Sequence, residues 1–250
     1  MLEHRFLRKI DRYFRNNNTV FAKTLDKICP KSGQEYLNSA FKKKMESIIP
    51  KTAVIFTRPL TGYAARQISK DGHEGYFESP RVGNIGKIFY IRKIRTMPAG
   101  TKNNEELNFL TRRLPPEDDP RVNGKLKRFL RMFELDELPE LEDLANGNTE
   151  FGLIGRRPAS PKTKEDIDKY KPQNYSQWDQ TYFTTPLGIF SLNSAVNPHR
   201  KDPLTRIRLD LFQSMPENQN IHMDTYILLR TGLMMLDKAV SKLEEIRESN

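Results

Sequence analysis

The chain has 250 residues, 36% hydrophobic and 30% charged, with 42 Lys+Arg against 32 Asp+Glu for a formal net charge of +10. That length supports one sizeable core or a core with appendages, and with 10% aromatic residues the composition excludes a disordered chain. A lone cysteine, Cys29, excludes a disulfide framework and fits a reducing compartment, and no run of apolar residues is long enough for an ordinary membrane-spanning helix.

Residues 1–50 hold 11 Lys+Arg and 5 Asp+Glu, so the basic charge is concentrated at the front. Leu2, Phe6, Leu7, Ile10, Tyr13 and Phe14 recur at helical spacing with Arg5, Arg8, Lys9 and Arg12 between them. This predicts a basic amphipathic helix, suited to an anionic surface or to packing on the rest of the protein. Charge recurs too often here for a secretory leader. "FAKTLDKI" predicts a short helix ended by Cys29-Pro30. Three lysines, Lys42–Lys44, precede the least polar early stretch, "TAVIFTRPLTGYAA" (52–65). Arg58-Pro59 lies at its middle, so a short broken helix over 46–69 is expected, buried or re-entrant.

"SKDGHEGYF" reads as a turn-rich link. "GKIFYIRKIRTM" (86–97) alternates as a strand, with Phe89, Ile91, Lys93 and Arg95 on one face and Ile88, Tyr90, Arg92, Ile94 and Thr96 on the other. Residues 98–118 read as a loop containing a short helix. "NGKLKRFLRMF" predicts a basic helix, and "LDELPELEDLANG" another, stopped by Gly147. "FGLIG" and "TTPLGIFSLNSAV" are short apolar strand-like pieces separated by a polar helix and loop. From Asp224 to Glu248 the pattern is one long amphipathic helix with an acidic and basic outer face.

The chemistry gathers in "FELDELPELED" (133–143), six acidic residues in eleven positions of a basic protein. Pro139 suits the first turn of a helix, where its missing N–H costs nothing. Asp136 and Glu137 then sit at the helix N-terminus, where the macrodipole keeps carboxylates ionised. An ionised Asp can act as a nucleophile toward phosphorus or as a Mg²⁺ ligand. By itself the run reads first as plain helix N-terminal charge, ahead of a reactive site. Lys93 and Arg95 on one strand face, Arg121, the turn-spaced Arg128 and Arg131, and Arg156-Arg157 would together match a pyrophosphate. There is no P-loop, no G-x-G-x-x-G and no serine nucleophile elbow.

In order, "RVGNIGKIFYIRKIRTM", "DDPRVNGKLKRFLRMFELDELPEL", "GLIGRRP" and "PLGIFSL" resemble the bacterial sugar transferase family, the monotopic polyprenyl-phosphate phosphoglycosyl transferases. The similarity spans about 76–195, and more weakly 42–75 and 224–236. It implies a compact α/β fold, a small sheet flanked by helices, with helical N- and C-terminal extensions. Residues 1–42 would be the basic extension, 43–72 a degenerate re-entrant or membrane-associated helix, 73–205 the catalytic domain and 206–250 a C-terminal helix. It also implies that Asp136 attacks the β-phosphorus of a UDP-sugar, that a phosphosugar–aspartate forms, and that polyprenyl phosphate takes the phosphosugar in initiating glycan assembly. Asp136 and Glu137 would be catalytic and would hold Mg²⁺. Lys93, Arg95, Arg121, Arg131 and Arg157 would bind substrate phosphates, leaving Glu140, Glu142 and Asp143 as surface or metal-neighbourhood charge. The sequence departs from the family pattern at Arg58, Ser79, Ile94, Asn123 and Arg156.

The expected place is the cytoplasmic face of a bacterial inner membrane, peripheral or monotopic, attracted to anionic lipid by the basic N-terminus and Lys42–Lys44, with a soluble cytoplasmic protein as the alternative. Two other functions stay open: a non-catalytic or repurposed homologue that binds nucleotide sugar or a protein, and a nucleic-acid binder. No aromatic-interleaved basic strand motif supports the last. The sequence leaves the sugar and the oligomeric state open.

Overall fold

The computed structural model describes residues 20–101, 119–148, 150–170, 185–196 and 203–248. The amphipathic helix expected within 1–14, and the short helix expected within 98–118, lie outside them. The architecture is mixed α/β, with two small sheets packed among helices.

Helices α1 (Val20–Ile28) and α2 (Gly33–Leu37) lead into α3 (Ala40–Ile68). The expectation of a short broken helix is corrected here: α3 is a single 29-residue element with Pro50 and Pro59 inside it. Two interior prolines forfeit two backbone hydrogen bonds, so tertiary contacts hold the helix together. Thr61, Ala64, Ala65 and Ile68 are buried along one side of it. Gly75 lies against the backbone of Ala65, where an added Cβ would come within 2.2 Å of the Ala65 carbonyl oxygen, so only glycine fits there. Arg58 is not the costly buried cation that its place in an apolar stretch suggests, because it faces outward.

The turn-rich link contains more order than its composition suggests. After a 3-10 turn at Ser69–Asp71, the strand β1 (Tyr76–Val82) pairs antiparallel with β2 (Ile88–Ile94), Tyr76 opposite Ile94 and Val82 opposite Ile88. In β2 the predicted alternation holds as far as Lys93, with Phe89, Ile91 and Lys93 buried and Ile88 and Tyr90 exposed, but Ile94 on the second face is buried too, against Ala64, Ile68 and Leu130. A basic helix, α4 (Lys125–Met132), leads to α5 (Pro139–Ala145), with Pro139 in the first turn and Gly147 at φ 93° beyond the end. β3 (Gly152–Ile154) and β4 (Gly188–Phe190) pair in parallel, backbone against backbone at Gly155 and Gly188. Around them lie α6 (Pro161–Tyr170), α7 (Leu192–Val196), α8 (Pro203–Ser214) and α9 (Ile221–Glu248).

One core joins the two sheets. Phe89 and Ile91 of β2 meet Leu141 of α5, Leu153 and Ile154 of β3, Ile189 of β4 and Ile227 of α9. The first turns of α9 are therefore part of the core.

A buried polar tie fastens α3 to α9 and β3. Lys42 is buried, with Nζ 2.7 Å from Asp224 Oδ2 and 2.6 Å from Glu46 Oε1, and Tyr36 donates its hydroxyl to Asp224 at 2.8 Å. Glu46 also accepts from the backbone N–H groups of Leu153 and Ile154. Burial works against the Lys42 ammonium, yet Asp224 and Glu46 outweigh it and raise its pKa. The predicted Lys42–Lys44 cluster is thus not a free basic patch: Lys43 and Lys44 are exposed, but Lys42 is committed to the interior.

Removing one partner of a buried ion pair strands the other. Lys42→Met is expected to cost about 3–5 kcal/mol. Urea denaturation followed by circular dichroism measures it, and a change below about 1 kcal/mol would mean that the tie contributes little.

Candidate active site

The backbone presents Asp136 in a specific way. α4 ends at Phe133, and Glu134 takes φ 53°, ψ 23°, the left-handed conformation that usually falls to glycine. This reverses the chain into a 3-10 turn, Leu135–Glu137, which runs through Leu138 into α5. Asp136 and Glu137 therefore lie just ahead of the α-helix, in a tighter turn than expected. β2 runs beside this junction.

Asp136 is 2% exposed. Its Oδ2 lies 3.3 Å from Arg131 Nη1. Glu137 is bridged by two cations: Lys93 Nζ at 2.6 Å from Oε1, and Arg157 at Oε2. Glu140, also buried, has Oε1 at 3.2 Å from Lys93 Nζ and 3.9 Å from Arg157 Nη2. Lys93, Arg131, Arg157, Asp136 and Glu137, named from the sequence, are thus brought together.

The electrostatics differ from the helix-terminus expectation. Burial, and then the Glu137 charge, push the Asp136 carboxyl up to about 6, against the pull of Arg131 and Lys93. The macrodipole does not dominate, because desolvation disfavours the charged form. Asp136 remains mostly ionised near neutral pH, as a costly, basic carboxylate. Arg157 is held protonated: Glu137 and Glu140 overcome the burial that would lower it.

Two expected cations are placed elsewhere. Arg95 follows the last residue of β2, where the strand alternation ends, and does not face the carboxylates. Its Nη2 binds Asp71 at 2.6 Å and its Nε the Glu74 carbonyl at 2.7 Å, closing the link that follows α3. Arg121 forks onto Asp119, with Nε at 2.9 Å from Oδ1 and Nη2 at 2.6 Å from Oδ2. Asp119 also feels Arg131, so this pair lies near the site's edge. Glu140, Glu142 and Asp143 are not surface charge. Glu142 is buried and accepts from Thr61 at 2.6 Å and Arg92 at 3.0 Å, and Asp143 meets Arg92 at 3.1 Å. Burial raises the Asp143 pKa despite Arg92.

A further arginine at the site, Arg81, is not marked out by the local sequence pattern. It lies on β1 among Arg157, Glu140, Glu137 and Arg206, and burial followed by Arg157 lowers its guanidinium to about 10. Among the described residues its Nε, shielded from water, has no hydrogen-bond partner, and Nη1 reaches the Pro80 carbonyl at 3.3 Å. The signal was present as the arginine of "RVG", but without a predicted β1 nothing placed it. A cavity of about 770 Å³, lined by Lys43, Lys51, Asn84 and Phe151 among others, includes none of these residues.

No group of three metal-ligating side chains occurs among the described residues. The donor chemistry still fits Mg²⁺, which favours oxygen and binds through one or two carboxylates together with substrate phosphates. Asp136 and Glu137 are the carboxylates of that chemistry here, with both Glu137 oxygens paired to Lys93 and Arg157.

The family profile described as bacterial sugar transferase matches residues 37–238, and the chain belongs to that family. It is 28% identical over 208 residues to an uncharacterized sugar transferase of Haemophilus influenzae, covering 79% of this chain and 41% of that one. It is 32% identical over 149 residues to the galactosyl transferase CpsE of Streptococcus agalactiae, covering 56% and 31%. To the undecaprenyl-phosphate galactose phosphotransferase of Salmonella typhimurium it is 29% identical over 160 residues, covering 56% and 33%. In each case the match spans less than half of the relative's length.

The Asp136 shift has a stability consequence. A carboxyl raised on folding stabilises the protein at low pH, and that contribution is lost as pH rises through about 6. Asp136→Asn is expected to be more stable than wild type at pH 7.5 by on the order of 2 kcal/mol, the difference fading as pH falls from about 6 toward 4. Thermal melts of both proteins across this range check it.

Proposed function

We propose that this chain transfers a phosphosugar from a UDP-sugar to polyprenyl phosphate through a phosphosugar–aspartate intermediate. The observation that carries the reading is a buried, under-neutralised Asp136 beside a Glu137 clamped by Lys93 and Arg157. The acceptor follows the relatives whose names state undecaprenyl phosphate.

An Asp136 oxygen attacks the β-phosphorus. The bond from that phosphorus to the bridging oxygen breaks, and UMP leaves with the electron pair. An oxygen of polyprenyl phosphate then attacks the same phosphorus, and the bond to Asp136 breaks, restoring the carboxylate. Arg131 orients Asp136 before attack. Arg81, with hydrogen-bonding capacity unspent, takes a diphosphate oxygen, and Lys93 and Arg157 stabilise the charge that develops nearby. Glu137 holds those two cations in position. Mg²⁺, held by Asp136 and Glu137, would supply further neutralisation of the diphosphate.

No described helix is long and apolar enough to cross a membrane. The outer face of α3 exposes Ile48, Ile55, Phe56 and Tyr63, flanked by Lys44, Lys51 and Arg58. Apolar residues beside a basic row suit a helix lying in an anionic lipid surface, where the polyprenyl acceptor resides.

Intact-protein mass spectrometry with a panel of UDP-sugars and Mg²⁺ is expected to show a phosphosugar adduct on wild type. Asp136→Asn should form no adduct and release no UMP. Glu137→Gln should lose turnover. UMP release by Asp136→Asn at the wild-type rate would sink the covalent mechanism, and no release by wild type with any donor and acceptor would favour the non-catalytic homologue.

Arg81→Gln should lower kcat/KM by roughly 10- to 100-fold, the value of a charge-assisted hydrogen bond, while leaving the fold intact. Unchanged kcat/KM would remove Arg81 from the site.

A further inference from the structure

α9 has two faces that the fold treats differently. The inner one carries Asp224, Ile227 and Thr231, all buried, and Lys238, whose ammonium reaches the Met132 carbonyl at 3.1 Å. On the opposite side Leu229, Leu236, Val240 and Leu243 are between 44% and 66% exposed. With half-buried Leu233 they repeat at intervals of four, three, four and three residues. The acidic and basic outer face expected from the sequence is therefore split by an apolar row. It runs for about 21 Å at 1.5 Å per residue. Single exposed leucines need no explanation, but a contiguous row at this spacing has the pattern of a two-helix seam.

We infer that this face binds the same face of a second copy of the chain, as an antiparallel helix pair. A seam meeting itself across a two-fold axis is self-complementary. The residues beside the row choose the direction. One flank carries Gly232 and Ala239, the other Arg230, Asp237 and Glu244. In an antiparallel pair, like flanks face each other. The small residues then let the two backbones approach, and Arg230 of each copy comes opposite Glu244 of the other. A parallel pair would set Arg230 against the small-residue flank and form neither ion pair.

Arg230 is unfinished in the single chain. Its Nε and Nη1 are shielded from water and have no hydrogen-bond partner among the described residues. Glu244 is exposed. A carboxylate from a second copy gives the guanidinium as a whole a counter-charge, from the side that faces the seam. The cost of this register is Asp237, which falls near the two-fold axis against its own copy.

Sedimentation velocity of the full chain over a dilution series tests the pairing. A species of twice the 29.2 kDa chain mass is expected, dissociating on dilution. Leu236→Glu, and separately Leu243→Glu, should leave a monomer with an unchanged circular dichroism spectrum, since both side chains are exposed. Arg230→Glu and Glu244→Arg should each weaken the dimer about tenfold or more, and the double swap should restore it. A chain that stays monomeric at every concentration, or a dimer that survives both leucine substitutions, overturns the inference. A double swap that adds rather than rescues rejects the antiparallel register. A monomer whose binding to anionic vesicles is lost in Leu236→Glu assigns the face to lipid instead.

Discussion

The fold turns on taking the carboxylates of residues 136–143 out of water. Asp136, Glu140 and Glu142 are each buried, and an isolated buried charge costs several kcal/mol even after the surroundings relax. Each carboxylate must therefore meet a cation, a donor or a proton. Lys93 brings β2 to Glu137 and Glu140, and Arg157 brings the segment after β3 to the same two. Arg131 holds α4 against Asp136, while Arg92 and Thr61 tie β2 and α3 to Glu142. A short 3-10 turn and the seven-residue helix after it are thus tied by their carboxylates to elements from distant parts of the chain. The apolar core beneath, around Leu141, Leu153 and Ile189, supplies the burial that makes the requirement stringent.

The same requirement explains what could be read from sequence. A strand's period of two placed Lys93 on the buried face of β2 with Phe89 and Ile91, because that rule is local. Pro139 at the first turn of α5 and Gly147 after its end were legible for the same reason. Arg95 was not, since the alternation has no force once the strand stops, and Asp71 lies within its reach. Lys42 looked like one of three surface lysines. Its burial depends on Asp224, 182 residues away, and no local pattern carries that information. Glu140 and Glu142 misled in the same manner: their partners Lys93, Arg157, Arg92 and Thr61 belong to other elements.

α3 shows a compromise between two environments. Its inner side is bound to the fold through Thr61, Ala64, Ala65 and Ile68. Its outer side leaves Ile55 and Phe56 in the open beside Arg58. Pro59 interrupts the hydrogen-bond ladder at an exposed position on this outer side, whereas Pro50 is buried. Basic side chains spaced seven apart at Lys44, Lys51 and Arg58 make a deep crossing of hydrocarbon expensive. They suit a helix lying in the headgroup region, with long side chains reaching toward phosphate. The apolar row on α9 lacks such a basic border, having Gly232 and Ala239 on one side and charges of both signs on the other. That difference suits α3 to lipid and α9 to another helix.

Within the site, charge is shared unequally, and the inequality bears on the chemistry. Glu137 takes two cations, Lys93 and Arg157, and Glu140 lies within reach of both. Among the described residues the cation paired with Asp136 is Arg131, at the longer distance of 3.3 Å, and its carboxyl is raised to about 6. It is therefore the carboxylate that gains most by sharing its negative charge with another atom. Opposite in sign, Arg81 is a guanidinium whose Nε has no acceptor among the described residues, lowered to about 10 by burial and by the neighbouring Arg157. A diphosphate offers what both lack: oxygens for Arg81 and an electrophilic phosphorus for Asp136. In the proposed reaction the carboxylate loses its uncompensated charge on forming the bond to phosphorus, and the arginine gains its missing partner. Both strains are relieved by the same ligand, so binding energy is directed to the reacting phosphorus and away from the sugar.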